Sequence, residues 1–139
     1  MKTDIKFRAW NVFEKEMDYE VTIDSNGKVA AYSPLDGQYV RGFSDSERIL
    51  MQYTGFHEDY ENQDEIYNGD IVELEYEGTK HSCEVKYVGC AYMFVADSLP
   101  DGFVWASDVI EFDRDYCWAE GTKKIGNIHE NPELLESRR

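Results

Sequence analysis

Three prolines, three cysteines and no long apolar run in 139 residues remove several classes of protein at once. A transmembrane helix needs about 20 consecutive apolar residues, and no segment supplies them. With 42% apolar and 14% aromatic residues the chain is too hydrophobic for a disordered tail and long enough to bury a core. Cys83, Cys90 and Cys117 are an odd number, and none sits in a C-x2-C pair. They read as reduced, small hydrophobes rather than a disulfide framework. His81-x-Cys83 places two ligand types on one strand face, but no second pair follows at zinc spacing, so no metal and no cofactor is expected. The opening MKTDIKFRAW enters alternating residues without an apolar h-region. No signal peptide is therefore expected, and the cytoplasm is the expected location.

Positive charge is the other shortage. Fourteen Lys and Arg stand against 29 Asp and Glu, a net charge of −15. The excess is local: residues 1–55 hold nine acids and seven bases, residues 56–121 hold 17 and three, and residues 122–139 hold three and four. A field of that sign repels phosphates, so direct contact with nucleic acid is disfavoured and a partner with a basic surface is favoured. Solubility is the plain alternative use of the same charge.

What is present is mostly strand. IKFRAW puts Ile5, Phe7 and Ala9 on one face and Lys6, Arg8 and Trp10 on the other. In YEVTIDSNGKVAAYS, Asn26-Gly27 between two alternating runs predicts a two-residue type I′ hairpin, with Ile23 opposite Ala30 and Val21 opposite Tyr32. Further turns are expected at residues 34–37, at Glu77-Gly78, at residues 100–102 and at Glu120-Gly121. Helix signals are few: one turn capped by Ser44 or Asp45, and Asn131-Pro132-Glu133, which opens a short helix ending at Arg138 and Arg139. The expected fold is mainly β: an N-terminal β meander over 1–55, an acidic linker over 56–64, and a C-terminal SH3-like, barrel-like β meander with a short terminal helix over 65–139.

One stretch that combines charge with strand alternation is IYNGDIVELEYEG, residues 66–78. Gly-Asp followed by an alternating strand is a common start for a small barrel, because glycine turns the chain and the strand then feeds one face inward. Val72, Leu74 and Tyr76 fall on one side and Glu73, Glu75 and Glu77 on the other. Carboxylates two apart on a strand are separated by roughly 6.6–6.8 Å, too far to share a proton, so they form a charged ladder. Together with Asp113 and Asp115, and with Glu58, Asp59 and Glu61 of the linker, they are the candidate binding residues.

No nucleophile elbow, phosphate loop, dinucleotide fingerprint or H-E-x-x-H occurs, and His57, His81 and His129 are scattered and read as surface or capping residues. No catalytic residues are expected. IKFRAW near the start, LMQYTG followed by EIYNGDIVELE, and IGNIHENPELL at the end together resemble the YopX family, encoded by phages and prophages of Gram-positive bacteria. The resemblance implies a mostly β accessory protein inside a bacterial host cell and carries over no catalytic residue. It also points to one departure, since HEDYENQD stands where members tend to have a Lys- and Gly-containing turn. The leading expectation is a non-enzymatic acidic module that binds a host or phage protein, in its sharpest form by imitating DNA toward a host defence or DNA-binding factor. A small nucleic-acid-binding barrel using Lys6, Arg8 and Trp10 is one alternative, and a hydrolase-type enzyme is another. The oligomeric state stays open.

Overall fold

Alternating residues in the first third of the chain build an antiparallel meander in the computed structural model, which describes residues 5–33, 35–44, 46–59, 63–113 and 116–136. Its strands are β1 (Phe7–Asn11), β2 (Glu16–Ile23), β3 (Val29–Ser33), β4 (Gln38–Phe43) and β5 (Arg48–His57), in the order β5-β1-β2-β3-β4. The chain divides into compact units between Tyr53 and Thr54, partway along β5. Residues 56–59 thus belong to the second unit, and Phe56 and His57 are strand residues rather than linker. In the first unit the buried apolar side chains are small: Ala9, Val29, Ala30 and Ala31, with Met51 and Tyr53.

Two expectations for this unit are corrected. Arg8 is fully buried, with its guanidinium Nη2 3.6 Å from Met51 Sδ, so it does not join Lys6 and Trp10 on an exposed basic face. Lys6 instead lies over the Tyr53 ring, 5.0 Å from its centre. The β2–β3 hairpin is also one residue out of the expected register: Val21 pairs with Ala31, Thr22 with Ala30 and Ile23 with Val29. Asp24 explains the slip. Its Oδ1 accepts the N–H groups of Asn26 (2.8 Å) and Lys28 (3.0 Å), while Gly27 N–H donates to Asp24 O (3.0 Å). Only Gly27 in this loop has positive φ, at +80°, which gives a three-residue loop rather than type I′. The turn at Ser44 does form: Glu47 and Arg48 N–H bond Ser44 O, and Glu47 Oε1 accepts the Ser44 N–H and hydroxyl. Asp45 lies outside the described residues.

The second unit is built on a five-stranded sheet. β7 (Asp70–Tyr76), β8 (Thr79–Val88), β9 (Ala91–Val95) and β10 (Phe103–Trp105) run as a meander, and β13 (Thr122–Asn127) returns beside β7, giving the order β10-β9-β8-β7-β13. A 3-10 turn (Ala106–Asp108) leads into the hairpin of β11 (Ile110–Asp113) and β12 (Tyr116–Ala119). β12 pairs with the end of β5, as does the short β6 (Glu65–Tyr67). Phe56, Ile66 and Ala119 from this second group of strands meet Val72, Leu74, Cys83, Val85, Phe94 and Val104 in one core. The expected inward set Val72, Leu74 and Val85 is therefore buried together. The Glu77-Gly78 loop, with φ of +51° and +80° and Tyr76 paired to Thr79, has the positive φ pair of a type I′ turn.

The NGD segment is a structural clamp. Asp70 is fully buried and its Oδ2 accepts Tyr67 N–H at 2.7 Å, with Lys124 Nζ 3.4 Å away. Gly69, at φ +89°, donates to Val85 O and accepts from Ile128 N–H, tying the turn to both neighbouring segments. The final helix α1 (Glu133–Glu136) is a single turn lying against β8. Asn131 does not cap it by side chain; its Oδ1 accepts Asn127 N–H at 3.2 Å. That oxygen stands 2.5 Å from where a Cβ on Gly126 would be, so only glycine fits there. Arg138 and Arg139 lie outside the described residues.

Candidate functional site

The predicted carboxylates do not gather into one ladder. Glu73 is half-buried with Oε1 3.6 Å from Lys80 Nζ, and it sits opposite Lys123 in register. Glu75 is exposed and sits opposite Lys80, while Glu77 has left the strand for the turn. Lysines therefore interleave with the glutamates on this side of β7. Glu58 is 2% exposed, and its Oε1 accepts Lys124 N–H at 3.0 Å. Asp59 Oδ2 accepts Gly121 N–H at 2.7 Å, and its own N–H donates to Thr122 O. These two acids fasten the start of β13 to the chain after β5. Asp113 is exposed on β11, and Glu61 and Asp115 lie outside the described residues.

The fold brings two of the expected acids, Asp59 and Glu75, together with two that were not expected, Asp108 and Glu120. These four line an open hollow of about 410 Å³ together with Gly78, Val109 and Gly121. Asp59 and Glu75 are among the expected candidates, whereas Asp108 and Glu120 come from the 3-10 turn and the β12–β13 turn and carry no strand periodicity, so for them only the turn signal at Glu120-Gly121 touches this place in the sequence. Another open hollow, in the first unit, is lined by Glu16, Asp18 and Glu20 with Tyr19 and Tyr32.

An aromatic row lies on the strands next to the first hollow. Tyr116 and Trp118 are two apart on β12 and stack, centres 5.2 Å apart and planes 27° from parallel. His57, paired with Trp118, meets the Tyr116 ring edge-on at 5.0 Å. Cross-strand pairing puts Glu111 opposite Trp118 and Asp113 opposite Tyr116, on the same face of the sheet. Burial, and after it the neighbouring Asp59 carboxylate, pushes the Tyr116 hydroxyl above the usual tyrosine range. The other face turns inward: Cys117 packs against the core and its thiol reaches Gly55 O at 3.2 Å. Burial raises that thiol too.

Of the three histidines, His81 departs from the surface reading: it is buried with Nδ1 2.7 Å from Ser98 Oγ, which ties β8 to the loop after β9. All three cysteines are free; Cys83 is buried and Cys90 exposed. Among the described residues no three His, Cys, Asp or Glu side chains converge as a metal site, and no helix is long and apolar enough to cross a membrane.

Fold and surface together define a mainly β protein of two units, whose second unit carries clustered carboxylates beside stacked aromatics. The chain belongs to the YopX family: the model of that family, described as YopX protein, matches residues 6–136. Among solved structures it is similar to the protein EF1440 from Enterococcus faecalis, with 29% identity over 96% of this chain and 99% of that one, TM-score 0.59. It also shares its fold with the protein yopX from Bacillus subtilis, with 20% identity over 93% of this chain and 96% of that one, TM-score 0.58. Comparison with curated proteins gives no match.

Proposed function

We propose that this protein is a non-enzymatic interaction module, acting in a phage or prophage setting inside a bacterial host cell, that binds a host or phage protein through a basic surface on that partner. The observation that carries this reading is the hollow where Asp59, Glu75, Asp108 and Glu120 stand together with no lysine or arginine among its lining residues. Clustered charge of one sign in a concave surface concentrates field and steers a partner of the opposite sign. Imitation of DNA is the narrower form of the reading. The lysines set among Glu73, Glu75 and Glu77 move its weight from a regular phosphate-like ladder to the hollow.

The test begins with capture from host lysate at low and high salt, followed by affinity measurement on the purified partner. The variant Glu75→Gln, Asp108→Asn, Glu120→Gln should bind at least about tenfold more weakly at low salt, chiefly through slower association, and the difference should shrink as salt screens the charges. Equal affinity of wild type and variant would end the reading. Competition by duplex DNA for the same partner site separates imitation of DNA from ordinary docking.

A further inference from the structure

Resting on that reading, we infer that the face made by Tyr116, Trp118 and His57, edged by Asp59, Glu111 and Asp113, recognises arginine side chains of the partner in preference to lysine. The aromatic row carries the inference. Charge attraction alone treats the two cations nearly alike, whereas a flat guanidinium can lie on a ring and at the same time fork onto a carboxylate. Tyr116 and Trp118 present neighbouring rings within 27° of parallel, spaced two residues apart along β12. Glu111 stands directly opposite Trp118 across the strand pair, and Glu111 and Asp59 are exposed. Each stacked guanidinium therefore has a carboxylate within the reach of one cross-strand neighbour.

Three further points fix the occupant. First, Asp59, Glu111 and Asp113 edge this face, which suits a cation. Second, Tyr116 and Trp118 stack on each other, so a cation meets an outer ring face and not an enclosing box, which suits a planar group better than a compact ammonium that gains from being enclosed. Third, the row adjoins the hollow through Asp59, which lines the hollow and also acts on the Tyr116 hydroxyl. A run of several basic residues can thus place one arginine on the rings and its neighbours over the carboxylates.

The experiment compares two labelled peptides of equal length and charge, one with six arginines spaced by serine and one with six lysines spaced by serine. Anisotropy is read at low and moderate salt against the full chain, with the Trp118 indole N–H followed by NMR. Wild type should bind the arginine peptide roughly three- to tenfold more tightly, as expected when one or two stacked contacts are added to the shared charge term. The Trp118 indole signal should shift with the arginine peptide and stay nearly still with the lysine one. A Tyr116→Leu, Trp118→Leu variant should lose the preference, its arginine-peptide affinity falling to that of the lysine peptide. Because both rings are half-buried, the wild-type comparison and the indole signal stand alone should that variant fold poorly. Equal, salt-sensitive binding of both peptides with no Trp118 shift would overturn the inference and leave the acidic reading in place. No binding of either peptide would remove both.

Discussion

The two units of this chain are built from similar proportions of strand but from different materials. In residues 5–53 the buried apolar set is three alanines, one valine, Met51 and Tyr53, whereas the second unit buries Phe56, Ile66, Leu74, Val85, Phe94 and Leu99 around one centre. Buried area scales with side-chain size, so hydrophobic stabilisation is concentrated in the second unit. The same unit holds nearly all the net charge, since residues 56–121 carry 17 acids against three bases. A large core allows that arrangement, because it offsets the self-repulsion that clustered carboxylates impose. The lesson is that the charged surface sits on the unit best able to tolerate it.

The largest effect that tests this contrast is removal of a central ring. Phe94 is fully buried and meets Phe56 edge-on at 6.0 Å, so Phe94→Ala should cost about 3–5 kcal/mol, and Leu74→Ala about 2–5 kcal/mol. Chemical denaturation measures both. Native-state hydrogen exchange sharpens the point: amides of β2–β4 should open at lower free energy than those of β7 and β8. Equal protection in the two sets would break the comparison.

The two hairpin loops give a smaller test and show where local sequence reading fails. Asn26-Gly27 is the stronger type I′ signal, yet Glu77-Gly78 adopts the positive φ pair and Asn26-Gly27 does not. The competitor is Asp24, whose carboxylate collects two N–H groups and selects a loop one residue longer. Asp24→Ala should therefore cost about 1 kcal/mol. Glu77→Asn, placing a residue suited to left-handed backbone at φ +51°, should stabilise by up to about 1 kcal/mol. Thermal melts of both variants decide the matter, and a neutral Asp24→Ala would return the slip in register to some other cause.

Much of the second unit was legible because Val72, Leu74 and Tyr76 alternate cleanly with glutamates, and alternation is a local property. Arg8 was not legible: alternation put it on a face with Lys6 and Trp10 but could not say that this part of β1 would be covered. The site was legible in its sign and in Asp59 and Glu75, and not in the rest. Asp108 and Glu120 sit in turns, and Tyr116 and Trp118 meet His57 only because β12 pairs in parallel with a strand some sixty residues earlier. No period or short motif records a pairing of that range. The acids that were singled out at the linker, Glu58 and Asp59, turned out to be held by backbone N–H groups of residues 121 and 124, again a long-range fact.

Titration should divide the units by direction. In the first unit the Ser44 backbone N–H, and after it the Ser44 hydroxyl, hold Glu47 below its ordinary value of 4.5. A depressed carboxylate contributes stability that is present above the ordinary value and lost as pH falls through the lower folded one. In the second unit burial raises the Cys117 thiol above its ordinary value of 9.0, so folding favours the protonated form and stability declines as pH rises past that value. Glu47→Gln should flatten the acid-side loss of amide protection at residues 47 and 48 without touching β12. Cys117→Ser should flatten part of the alkaline-side loss in β12 without touching the Ser44 turn.

The smallest effect belongs to the glutamates of β7 and its turn. Replacing Glu73, Glu75 and Glu77 together with Gln removes three charges from the outside of β7 and its turn while Val72 and Leu74 keep their packing. Surface changes of this kind alter stability by less than about 0.5 kcal/mol each. Two opposing contributions are expected: loss of the Glu73–Lys80 contact at 3.6 Å between partly exposed groups, worth little, and relief of repulsion inside a strongly negative unit. Relief should win at low salt, giving a slight gain in urea midpoint, and both contributions should fade at high salt as screening shortens their range. A loss above about 1.5 kcal/mol for the triple variant at either salt would make these carboxylates part of the framework. The second unit would then hold its charge by structural need, and the contrast between a stabilising core and a separable acidic surface would no longer stand.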